Sequence, residues 1–138
     1  MDDEETKEEL GKEDLAKLRD LRSRLLYLHK SLLEMERQNF ESKSGRLTPG
    51  ELLQLVLNNS QFAWLRIITA LVVEVDEVLN GEEPATADDL QDLLSQARLL
   101  FTSPGNQEFE IKYQAAMQRE PSVVLAHAAV MQLLRQDH

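Results

Sequence analysis

From Leu18 onward, apolar side chains recur at Leu18, Leu21, Leu25, Leu28, Leu32 and Met35, in alternating steps of three and four that lie on one stripe of an α-helix. Leu15, Leu26 and Leu33 flank this stripe and widen the apolar face to about half the circumference, more than a two-stranded coiled-coil seam requires. A bundle helix from about Glu13 to Ser42 is predicted. Gly45 stops it, and the next segment restarts a helix: Thr48 is a capping residue, Pro49 suits the first helical position and Glu51 completes a capping box. This short helix runs to about Leu57. Asn58, Asn59 and Ser60 break the pattern, and Ser60 is placed to cap a long helix that ends at Gly81. On that helix Trp64, Leu65, Ile68, Leu71, Val72 and Val75 share a broad face with Ile67, Val78 and Leu79, which marks it as the core of the domain.

Thr86 stands three residues before Asp89 in a second capping arrangement, and Leu90, Leu93, Leu94, Ala97, Leu100 and Phe101 define the helix that follows. Ser103, Pro104 and Gly105 end it. A further helix carries Phe109, Tyr113, Ala116 and Met117, and Pro121 either kinks it or opens a last helix reaching about Arg135. No segment alternates with period two, so no sheet is expected. The predicted fold is all-α: a four-helix-bundle-like domain with an extra short helix and a Pro-kinked or broken C-terminal helix pair. Residues 1–12, acidic and nearly devoid of apolar groups, form a disordered lead-in to a single helical domain over residues 13–138.

Composition narrows the function classes. At 138 residues and 42% hydrophobic, the chain has the size and apolar content for one core. The absence of cysteine excludes disulfides, thiolate zinc sites and cysteine nucleophiles, and it agrees with a reducing compartment. The acidic start is the opposite of a secretory signal, and the longest apolar run, Ile67 to Val73, contains Thr69 and falls far short of the roughly 20 residues that span a bilayer. A cytoplasmic protein with no membrane span is expected. The net charge of -10 is uneven, because residues 15–46 carry eight basic groups against four acids while both flanking segments are strongly acidic. Nucleic-acid binding would therefore rest on the first helix alone, and would need Arg22, Lys30 and Arg37 to form one connected patch.

Catalytic and metal signatures are sparse. Leu26, Val124 and Arg135 precede His29, His127 and His138 by three residues, so no Glu-x-x-His motif exists, and no metal or other cofactor is expected. Glu74 and Asp76 point about 200° apart on their helix, and only Glu74 and Glu77 share a side, as on a solvated helix edge. The five glycines are isolated, which leaves no phosphate loop. His127 stands out: Val123, Val124, Val130, Met131 and Leu134 surround it at helical spacing, so a buried or interfacial imidazole is predicted, most simply a core histidine bonded to an acceptor. His29 borders the first stripe and is read in the same way. Trp64 and Tyr113 fall on core faces and are assigned to packing.

The run LTPGELLQLVLNNSQFAWLRIITALVVEVDEVL from Leu47 to Leu79, with YQAAMQREPSVVLAHAAVMQLLR from Tyr113 to Arg135, resembles small bacterial proteins of uncharacterised function. The likeness covers about two fifths of the chain. It implies a bacterial cytoplasmic setting and supplies no active-site residues.

The function expected from these features is that of a non-enzymatic helical protein-interaction module, self-associating as a homodimer or binding a protein partner. Leu125, Ala129 and Leu133 form a second apolar stripe on the last helix and are the expected interface. The alternative is a small-ligand-binding protein or enzyme with an inter-helix pocket near His127.

Overall fold

A computed structural model describes residues 9–135. Within them the chain forms seven α-helices: α1 (Lys12–Ser44), α2 (Pro49–Asn58), α3 (Ser60–Ala63), α4 (Arg66–Asn80), α5 (Ala87–Thr102), α6 (Gln107–Arg119) and α7 (Pro121–Arg135). The fold is all-α, with no strand among the described residues, and none of its helices is long and apolar enough to cross a membrane.

The leucine stripe of α1 is buried along its whole length, from Leu18 to Met35. Helices α3, α4 and α7 pack against α1, α5 bridges α4 and α7, and α6 lies against α7. Gly45 ends α1 at φ 86, a left-handed conformation that costs glycine least, with its N–H bonded to the Glu41 carbonyl. Both predicted capping boxes form, Thr48 with Glu51 and Thr86 with Asp89. At the C-terminal end, Glu120 is extended (φ -117, ψ 107), as the residue before a proline tends to be, and Pro121 takes the first position of a separate helix. The C-terminal pair is broken, not kinked.

The single helix expected over residues 60–80 is instead interrupted at Trp64 and Leu65. Phe62 and Trp64 would point about 200° apart on a continuous helix. Both are buried here, as is Leu65, and the break is what turns all three into the core. Tight bonds from the Leu65 N–H to the Phe62 carbonyl (3.2 Å) and from the Ile68 N–H to the Leu65 carbonyl (3.1 Å) carry the chain through the turn.

The expected lead-in also needs correction where it is described. Residues 1–8 lie outside the described residues, but Leu10 donates its N–H to the Ala85 carbonyl at 3.0 Å, Glu9 forms an isolated bridge with Thr86, and the Leu10 side chain packs on the core. One leucine and one main-chain bond suffice to dock a polar segment where the loop before α5 leaves a carbonyl open. Leu10→Ser should therefore lower stability by about 1 kcal/mol, read from the urea unfolding midpoint. An unchanged midpoint would show that this end of the segment contributes nothing to the fold.

Candidate functional site

Arg22, His29 and Glu36 recur every seven residues on α1 and form a row beside the leucine stripe. The row faces α4 and the turn that precedes it. Arg22 donates from Nε to the Asp76 carboxylate, and the Trp64 indole donates to Glu36, so α1 and α4 run antiparallel. His29, between these two links, is half-buried, and that burial holds its imidazole below the ordinary range.

Glu36 is the one charged side chain fully buried among the described residues, at 6% exposure. Trp64 Nε1 donates to Oε2 at 2.7 Å, while Gln61 Nε2 and Asn39 Nδ2 each donate to Oε1 at 3.3 Å. No ion pair to Glu36 exists among the described residues. An ionised carboxylate taken out of water without a counter-ion costs several kcal/mol, and hydrogen bonds from N–H donors such as these three oppose that cost. Glu36 opens on a cleft of about 520 Å³ between α1, α3 and α6, walled by Met35, Ala115 and Ala116 and rimmed by Lys43, Lys112 and Arg119. Arg119 donates to the Asn39 side-chain oxygen and pairs with Glu120 at 3.3 Å, and Lys112 pairs with Glu108 at 3.3 Å.

A second polar group sits at the other end of a run of rings. Trp64 meets Phe109 at 5.8 Å between centroids, Phe109 stacks on Tyr113 at 5.2 Å, and the Tyr113 hydroxyl lies 2.7 Å from His127 Nδ1. Phe101 closes the cluster edge-on to His127 at 5.5 Å. Burial raises the Tyr113 phenol well above its ordinary range, and burial together with the Arg135 charge lowers the His127 imidazole. Both groups are thereby held neutral, and with the imidazole proton on Nε2 the phenol donates to Nδ1. The dyad is a satisfied hydrogen bond at the edge of the core. Among the described residues no carboxylate is bonded to it, and no group of three His, Asp or Glu side chains is arranged to hold a metal ion. The groove of about 620 Å³ between α5 and α6 is lined by Phe101 and Tyr113 but not by His127.

The expected interface stripe does not form. Leu125 is 69% exposed, Ala129 is half-buried with its carbonyl accepting from Arg24 Nη1 at 2.6 Å, and Leu133 is buried in the core at 2% exposure. Helix α7 faces the core with Val123, Ala126, Val130, Leu133 and Leu134, an orientation that carries Leu133 inward. Nor is there a connected basic patch on α1, because Arg22 is paired with Asp76 and Arg37 with both Glu34 and Glu41, and the exposed Lys30 lies near the Glu34 carboxylate. Asp76 separates from Glu74 and Glu77, which stay in solvent. Glu36 was not anticipated. Its signal in the sequence is a charge four residues after Leu32 and seven after His29, beside an otherwise apolar stripe.

No known family, curated protein or solved structure matches this chain.

Two outcomes follow from this geometry. His127 and His29 bind fewer protons folded than unfolded, so the stability they contribute is complete above the ordinary imidazole pKa of 6.5 and is lost as the pH falls below it. The urea midpoint should fall from pH 8 toward about pH 5, and His127→Gln should flatten part of that slope. An identical slope in the variant would mean the imidazole is solvated in the folded state. On α7, Leu133→Glu should unfold the domain while Leu125→Glu changes stability by no more than about 0.5 kcal/mol, as circular dichroism melts would show.

Proposed function

We propose that this chain is a non-enzymatic, self-associating helical interaction module, and that α2 rather than α7 supplies its contact surface. The observation that carries this proposal is that α2 buries none of its side chains although Leu52, Leu53, Leu55, Val56 and Leu57 make up half of its ten residues. Leu53 and Leu57, each 56% exposed, stand four apart and lie together on one face. A helix this short is marginal in water by itself. The Thr48 and Glu51 capping box, the packing on α3 and an Arg66 guanidinium bonded to the Leu57 carbonyl hold it in place with Leu53 and Leu57 outward.

The partner is a second copy, on electrostatic grounds. With a net charge of -10, two copies repel over most of their surfaces, yet residues 52–65 contain no charged side chain at all. This is where two such chains approach at least cost, and in a symmetric pair Leu53 and Leu57 each act twice.

Light scattering decides the matter. The parent should be a dimer at about 0.1 mM, and the variant Leu53→Glu, Leu57→Glu should be a monomer with an unchanged helical spectrum. A monomeric parent, a dimeric variant, or loss of helix in the variant would each overturn the proposal.

A further inference from the structure

The Glu36 cleft is independent of α2 and calls for a ligand of its own. We propose that it binds a small zwitterion, with Glu36 taking the ammonium or guanidinium head and Lys112 and Arg119 taking the anionic end. The charges select this class. A bare cation entering the cleft meets Lys43, Lys112 and Arg119 at the rim, and a bare anion meets the buried Glu36 carboxylate within it. A molecule that carries both signs satisfies both.

The donors and acceptors are available. A carboxylate accepts about four hydrogen bonds. Glu36 receives three from neutral groups, two of them long at 3.3 Å, so an ammonium would complete its shell and supply the missing counter-charge. At the rim, Lys112 and Arg119 are each held by one carboxylate, Glu108 and Glu120, which positions them while leaving N–H groups of both cations for a ligand. The volume of about 520 Å³ lies within the range of roughly 300–1,000 Å³ of small-molecule sites, and the walls contributed by Met35, Ala115 and Ala116 suit a short methylene chain between the two charged ends.

Trp64 is the only tryptophan in the chain and its indole N–H is bonded to Glu36, so its fluorescence reports on the site. The probes are the ω-amino acids from glycine to 6-aminohexanoate, which step the distance between ammonium and carboxylate, with tetramethylammonium chloride and sodium acetate as single-charge controls. The expected result is a saturable change in emission with one preferred chain length and a Kd below about 1 mM. Glu36→Gln should abolish it, and Lys112→Ala and Arg119→Ala should each weaken it by about tenfold. Because Glu36 also holds the turn before α4, the two rim variants decide the question if Glu36→Gln fails to fold. No saturable response to any probe up to about 10 mM, equal affinity for either control, or undiminished binding in the rim variants would overturn the proposal.

Discussion

The buried leucine stripe of α1 is the constraint on which the other helices depend. A helix of 33 residues is about 50 Å long, and its stripe is buried over the span from Leu18 to Met35. Helices α3, α4 and α7 all need that surface, so each must present its own apolar side to it, and α5 and α6 close over what remains. Burial of the stripe also places the row beside it. Once Leu25, Leu28 and Leu32 are inward, Arg22, His29 and Glu36 are fixed at the seam between α1 and α4, where each is partly or wholly desolvated.

Polar groups at such a seam must be satisfied or removed, and each one here is met differently. Arg22 reaches Asp76, His29 stays neutral, and Glu36 gathers three N–H donors from the turn before α4 and from its own helix. That turn exists because Phe62, Trp64 and Leu65 all enter the core, so the interruption of the helix and the burial of the carboxylate support one another. From Trp64 the rings of Phe109 and Tyr113 continue to His127, giving α6 a spine of packed aromatics between its two neighbours.

Helices α2 and α7 show that apolar composition does not fix burial. Both are rich in leucine, valine or alanine. Helix α7 spends its apolar groups on α1, with Val123, Ala126, Val130, Leu133 and Leu134 buried, and leaves Val124 and Leu125 outside. Helix α2 packs chiefly on the short α3, and its Leu53 and Leu57 remain on the surface. An exposed apolar helix whose one charge, Glu51, lies in its first turn is the kind of surface that protein contacts use.

By itself, the sequence determined the all-α class, both capping boxes, the stop at Gly45, the separate start at Pro121 as one of two options, and the identity of the α1 core. Each of these depends on residues within four positions of one another, where helix geometry alone sets the neighbours. Only the tertiary structure decided that the helix breaks at Trp64, that Leu10 docks on Ala85, that Leu133 turns inward while Leu125 does not, and that Glu36 lies buried beside a cleft. Those outcomes depend on partners 28 residues away, as for Trp64 and Glu36, or 105 away, as for Arg24 and Ala129. Helical periodicity specifies which side chains share a face, but the rotation of that face toward the core is set by all the helices packing at once.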